Sequence, residues 1–322
     1  MTGRRFGRLL AAAALLVLPA QPSAGQAFIP ATGDGTVSAS FQSVRSSPQL
    51  DSTGAKGEGE RWDTQALIWH VEYGLTDRIA VHASLPFMMT RYEGGNPHSD
   101  YDDGTYHGAF QDFYLGVRYG AVQSPGFALA PFVEVVIPSH RYESQVNAAP
   151  GRDVRVLLVG AAVGGFLDRI LPGLYYQTRL SYGIAQDVVD IRPNRTGIDS
   201  AIGYFVNPRL GVQFVETFQY AHNGMWFIWN PVFEAHITGG GEITDEHWIN
   251  HDRLLRGRVL ALGGGMTYAL NQSVGLFATA TTAAWGRSLP LPARAFTVGM
   301  NWSFQTGRSN SNPSVNRPLR LQ

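Results

Sequence analysis

Apolar and polar residues alternate strictly along several stretches of this chain. In residues 295–304, AFTVGMNWSF, one parity carries Phe296, Val298, Met300, Trp302 and Phe304, and the other carries Thr297, Gly299, Asn301 and Ser303. A period of two is that of a β-strand with two unlike faces. Residues 67–87, LIWHVEYGLTDRIAVHASLPF, show the pattern twice. Leu67, Trp69, Val71 and Tyr73 share one face of a first strand, and Ile79, Val81, Ala83, Leu85 and Phe87 share one face of a second. The opposite faces carry His70 and Glu72, then Arg78, His82 and Ser84. A soluble sandwich would also alternate in this way. Aromatic residues at the strand ends, and many small residues on the polar face, favour a strand that turns its apolar side to lipid.

A short repeat supports the same reading. Tyr73-Gly-Leu-Thr-Asp-Arg-Ile79, Tyr204-Phe-Val-Asn-Pro-Arg-Leu210 and Tyr268-Ala-Leu-Asn-Gln-Ser-Val274 share one template, and each is a tight turn between two alternating runs. Tyrosines recurring at one level form an interfacial girdle; the competing reading is a set of edge tyrosines on a soluble sheet. Longer polar segments at 45–61, 88–107, 139–152, 185–196, 221–253 and 286–293 alternate with the short turns. Short turns on one side and long loops on the other are the asymmetry of an outer-membrane barrel. The expected fold is all-β, an antiparallel transmembrane β-barrel of about 12 strands, with both termini periplasmic. Its strands fall at 36–44, 63–73, 79–88, 110–120, 127–137, 154–164, 174–184, 198–205, 210–220, 256–268, 274–285 and 295–304, most of them near the ~10 residues that a tilted strand needs to cross. Two strands resist the pattern. Glu216 shares the parity of Leu210, Val212 and Phe214, which calls for a bulge or a position beyond the lipid, and residues 274–285 are too rich in Ala and Thr to show two faces.

Composition narrows the class. Only 16% of the 322 residues are charged and the formal net charge is zero, which argues against nucleic-acid binding. The start, with Arg4, Arg5 and Arg8 before an apolar run and small residues, reads as a Sec signal peptide over residues 1–27, with cleavage expected between Gly25 and Phe28. The barrel is then expected over 28–304, and a disordered periplasmic tail over 305–322. The sequence has no Cys, so no disulfide, thiolate site or lipidated Cys is available.

With the strands in place, the chain resembles the MetA-pathway of phenol degradation family of outer-membrane transporters. The resemblance is carried by GDGTVSASFQS (33–43), EYGLTDRIAVHASLPF (72–87), FQDFYLGVRYG (110–120), VEVVIPS (133–139) and MNWSF (300–304). It implies a barrel that passes aromatic or other hydrophobic small molecules, and it brings no fixed catalytic residues.

If the apolar face meets lipid, the other face lines a lumen. Glu72, Arg78, Arg118 and Arg209 are expected near one periplasmic level as a ring of ion pairs. Pairing Tyr73 with Asp77 sets Glu72 opposite Arg78, whereas pairing it with Ile79 sets His70 opposite His82; both keep parity, so both stay open. Higher up, Asp112, Tyr114, Glu134 and Arg179 form either a selectivity lining or a satisfied polar filling. His82 and Ser84 invite comparison with a membrane-embedded lipase, but their inward parity keeps them from lipid. His247 and His251, four apart in a loop, have the spacing of a metal pair and read better as solvated; the acidic run 99–104 reads likewise, not as a calcium loop. Met225, Trp226, Phe227, Ile228 and Trp229 are too apolar for an exposed loop. They either fold in as a plug or lid over the pore mouth, where Trp226, Phe227 and Trp229 would stack an aromatic solute, or extend a strand pair above the membrane; the plug or lid is preferred. The expected function is a passive outer-membrane channel for small hydrophobic or aromatic compounds. Its partners are membrane lipid and those solutes, with no nucleic acid, cofactor, metal or catalytic residue. The alternatives are a structural or adhesive barrel, or a lipid hydrolase.

Overall fold

The computed structural model describes residues 26–306 apart from 58, 96, 125, 230 and 231. The expected signal peptide and tail therefore lie outside the described residues, except for 26–27 and 305–306 at their inner ends. The strands, in chain order, are β1 (Asp34–Leu50), β2 (Arg61–Thr76), β3 (Ile79–Glu93), β4 (His107–Phe110), β5 (Asp112–Tyr119), β6 (Val122–Ser124), β7 (Phe127–Pro138), β8 (Val156–Phe166), β9 (Leu174–Ala185), β10 (Arg195–Phe205), β11 (Leu210–Ala221), β12 (Met225–Ile228), β13 (Glu234–Ile237), β14 (Arg258–Ala269), β15 (Val274–Arg287) and β16 (Leu289–Gln305). Two short helices, α1 (Asp245–Ile249) and α2 (His251–Leu254), precede β14.

Each wall strand pairs antiparallel with its neighbours, and β16 pairs back onto β1 from Asp34↔Gln305 to Leu50↔Leu289, so the sheet closes. β4 and β5 are one wall strand interrupted at Gln111, and β6 is a spur beside β7. The wall therefore has twelve strands, with β12 and β13 in a separate hairpin.

The exterior is an apolar belt. Leu115, Val133, Leu180, Ile202, Phe214, Met266, Met300 and Trp302 are each about half exposed. A belt of this extent is stable only in a bilayer. The belt stops on the long-loop side where outward positions turn charged. Arg45, Arg61 and Arg91 there surround Asp63 at 2.6, 3.1 and 2.8 Å. Leu180 lies mid-wall, between Ala161 and Ile198. Leu180→Arg is expected to lower stability by about 2–4 kcal/mol in urea titrations of lipid-embedded protein; an unchanged midpoint would mean that this face does not meet hydrocarbon.

The closing strand follows the alternation: Phe296, Met300 and Trp302 face out, while Thr297 is buried and receives a bond of 3.1 Å from Gln42. The ambiguous strand is resolved by packing. Phe277 of β15 turns inward over Gly299, where a Cβ would stand 2.3 Å from the ring. That closeness excludes a larger residue at 299. Three expectations are corrected. In the first hairpin Tyr73 pairs with Val81 and Glu72 with His82, a register neither alternative proposed. The cause is a shift between Gly74 and Thr76 followed by a two-residue turn, in which the Thr76 hydroxyl accepts from the backbone N–H of Arg78 and Ile79. No bulge follows Phe214, since β11 pairs with both neighbours without a register shift. The external loop expected at 286–293 is replaced by Ser288 alone, because β15 and β16 extend to meet there.

Candidate functional site

The inward faces enclose a cavity of about 610 Å³. Its two halves differ in chemistry. Toward the loops the aliphatic Val44, Val136, Val156, Leu158, Val259 and Leu289 line it beside the charged Asp112, Arg152, Arg195 and Asp252; toward the short turns it is lined by Thr36, Ser38, His70, Glu72, Gln177 and Asn301. The strands explain part of this division, because β1, β7, β8 and β14 each turn a Val inward near the loop end, whereas β5 and β10 turn Asp112 and Arg195 inward there.

At mid-height lies a charged cluster. Glu134 of β7 accepts from Arg179 of β9 at 3.2 Å and meets Nε2 of His82 at 2.7 Å. Arg179 also lies over the Phe132 ring, 4.3 Å from its centroid. The His70 ring stands 5.9 Å from that of His82. Gly116 permits this arrangement, since a Cβ there would lie 2.4 Å from the His82 ring. Closer to the turns, Arg118 pairs with Glu72 and donates to the carbonyl of Gln26. Asp112 and Tyr114 also line the cavity, and Asp112 accepts from the Tyr142 hydroxyl at 2.6 Å. Buried charges need partners of this kind. The ion pairs match Glu134 with Arg179 and Glu72 with Arg118, so the cluster presents no single sign.

Arg78 and Arg209 do not join it. Both sit in exposed turns outside the strands, so the inward parity that predicted them stops before it reaches them. The expected periplasmic ring is reduced to Glu72 and Arg118. What closes this end was not legible in the sequence. Residues 26–32 lie across the inside of the barrel, with Ala27 packed on Ala128 and Ala162, and Ile29 on Ala80 and Ala130. The Gln123 side chain holds the segment by accepting from Ile29 N–H and donating to the Ala27 carbonyl, at 3.1 and 2.9 Å. The signal was the run of small inward residues, which leaves room for a chain to pass.

The other end is roofed by loops. Trp226, Phe227 and Trp229 do not line the cavity. They belong instead to the hairpin of β12 and β13, where buried Phe227 forms a triangle of rings with Phe233 and Trp248, at 5.9 and 5.7 Å, and packs with Leu254, Val154 and Val188. Trp226 stacks on His236, with Arg256 over its ring at 4.9 Å. The arrangement combines the two readings: the cluster forms an extra strand pair, and that pair is folded down as a lid. The loop at 139–155 joins the same roof. Arg253 of α2 donates to the carbonyls of Arg152 and Asp153 at 3.0 and 2.7 Å. Asp102, from the acidic run, is occupied by N–H donors from His98, Asn147 and Ala148 at 2.8, 3.1 and 2.8 Å, which makes it a loop tie. Ser84, considered above as a nucleophile, donates to the Trp69 carbonyl at 2.9 Å, while His82 is engaged by Glu134.

Asp51 ties the lid to the wall. One carboxylate oxygen accepts from the Thr53, Gly54 and Ala55 amides, and the other accepts from Trp229 N–H at 3.1 Å. Burial pushes its pKa up, but these hydrogen bonds outweigh burial and hold it below the ordinary carboxylate value. A depressed folded pKa contributes stability that is complete above the unfolded value and is lost as pH falls through the folded one. Amide exchange at 53–55, corrected for intrinsic rate, is expected to accelerate on acidification below that range. At neutral pH, Asp51→Asn should speed cleavage after Lys56, the only lysine.

A closed antiparallel wall with an apolar belt outside and a polar, charge-paired interior defines an integral outer-membrane barrel of porin-like fold. The sequence of residues 23–306 matches the model of the family described as "Putative MetA-pathway of phenol degradation", and the chain belongs to that family. Among solved structures it is similar to an outer membrane channel from Pseudomonas putida F1, at 12% identity and a TM-score of 0.65, over 87% of this chain and 98% of the other. The NanC porin follows at 9% identity and a TM-score of 0.47, over 83% and 98% of the two chains. The translocator domain of the autotransporter NalP from Neisseria meningitidis stands at 10% and 0.46, over 85% and 89%. No curated protein sequence matches the chain.

Proposed function

We propose that the barrel is a passive outer-membrane channel for small hydrophobic or aromatic compounds. The observation that carries this reading is the uneven cavity, whose aliphatic side chains are gathered beneath the lid beside a few charged ones and whose lining above the segment at 26–32 is polar. An aromatic solute burying about 150 Å² there gains about 4 kcal/mol at ~25 cal/mol/Å². Less the cost of immobilisation, this leaves an affinity no tighter than about millimolar, weak enough for release without energy input. On this reading, passage requires the lid and the 26–32 segment to move aside. The phenol-degradation description of the family and the channel named in the Pseudomonas protein support this reading. A hydrolase reading lacks a free nucleophile at Ser84, and a purely structural barrel leaves the aliphatic part of the cavity without a role.

The test is uptake of phenol, an alkane and a sugar by porin-depleted cells that express the chain. Ala261→Trp, which fills the aliphatic part, is expected to bring phenol and alkane uptake close to the empty-vector level. Sugar uptake at or above the phenol rate, or no effect of Ala261→Trp, would overturn the proposal.

A further inference from the structure

The lid contains a second cluster that the channel reading does not use. His98, from the loop between β3 and β4, meets His251 and Asp252 of α2, and one ligand atom from each lies within 4.8 Å of the others. His98 Nδ1 stands 3.3 Å from Asp252 Oδ2, and His251 Nε2 stands 3.3 Å from Asp252 Oδ1. The two rings are edge to face, with centroids 4.9 Å apart. His247, which pairs with His251 in the sequence, is turned away to cap the helix at Thr244.

Three features mark this as a built site. The Asp252 side chain is fully buried, yet among the described residues neither of its oxygens accepts a hydrogen bond. A carboxylate withdrawn from water needs a positive partner. His251 Nδ1 donates to the carbonyl of Trp248, and because a carbonyl can only accept, the neutral ring keeps its lone pair on Nε2, facing Asp252. Two donors at about 2.1 Å from a tetrahedral Zn²⁺ are separated by about 3.4 Å; each imidazole stands at about that distance from one carboxylate oxygen, His98 from Oδ2 and His251 from Oδ1, so both oxygens would face the ion. Arg253, next to Asp252, is spent on the Arg152 and Asp153 carbonyls and on Asn250, so it does not supply the missing charge.

We infer that His98, His251 and Asp252 bind a divalent transition metal, Zn²⁺ or a similar ion, which staples the chain at His98 to α2 in the roof of the cavity. Two imidazoles and a carboxylate are the donor set of zinc and its neighbours, whereas magnesium and calcium require oxygen donors. Asp252 also lines the cavity, so the ion would hold the lid at the point where it covers the aliphatic part.

The full chain, purified in detergent without a polyhistidine tag, is titrated with Zn²⁺ and with Co²⁺ as a spectroscopic substitute. One equivalent is expected to bind, with the visible absorption of low-coordinate Co²⁺. His98→Ala, His251→Ala and Asp252→Asn should each weaken binding at least tenfold, while His247→Ala should bind as the parent does. Asp252→Asn keeps the side chain's shape, and heat-modifiable gel migration checks that every variant retains the barrel. Absence of stoichiometric binding would mean that the cluster is a protonated histidine pair on a carboxylate, and would overturn the inference. Binding lost in His247→Ala but kept in His98→Ala would overturn it as well, in favour of the pair adjacent in sequence. Neither result bears on phenol uptake, which is measured separately.

Discussion

Replacing residues 26–32 by a glycine-serine stretch of equal length is expected to raise single-channel conductance by about an order of magnitude, because the narrowest part of a pore sets its current. In the described state this segment is the floor of the cavity. Its apolar contacts are few, Ala27 on Ala128 and Ala162, Ile29 on Ala80 and Ala130, and Phe28 against Phe166. Its polar ties run through Gln123, Arg118 and Asp77. None of these holds the wall together, since the wall closes through β1 and β16. The replacement should therefore open the barrel without unfolding it. The check is a planar-bilayer recording of parent and variant, with heat-modifiable migration as the folding control. Equal conductance in the two would place the barrier in the lid instead.

Phe227→Ala is expected to destabilise the lid by about 3–5 kcal/mol, the range for removing a buried aromatic ring. Phe227 packs against the neighbouring rings of Phe233 and Trp248 and touches the chains that form the roof. Trp226 and Trp229 are less central, one half-buried against His236 and Arg256 and the other held through its backbone by Asp51. Limited proteolysis of the external loops should accelerate strongly for Phe227→Ala and mildly for Trp226→Ala, while the wall stays resistant. Aromatic uptake should rise in the first variant if the lid is a gate. If Phe227 stacked solute, as the sequence alone suggested, uptake should fall.

Most of the wall was legible in the sequence because a two-residue period has only two outcomes, and lipid on one side makes the wrong one expensive. The parity of Trp69, Leu115, Val133, Phe214 and Met300 was enough to place them outside. It could not fix the first hairpin's register, since every shift by two preserves the faces. Arg78 and Arg209 were misplaced because parity was carried past the last paired residue into a turn, where side chains no longer alternate. The lid was half legible. An aromatic cluster in a long loop announces burial, but what buries Phe227 comes from residues far apart in the chain. His98 and Asp252 illustrate the limit, since their approach depends on two loops folding toward one another. Asp112 and Glu134 could be assigned to the interior from the sequence, but their partners Tyr142 and His82 could not.

The pairing of β1 with β16 also bears on how the barrel is made. These strands come from opposite ends of the chain, so the seam has the highest contact order available to the sheet, and forming it must await synthesis of the final strand. Until then two long strand edges are open, each able to template pairing with another chain. Aggregation during biogenesis is thus concentrated at one seam, and a β-strand peptide that mimics residues 295–304 would be a competitor for it.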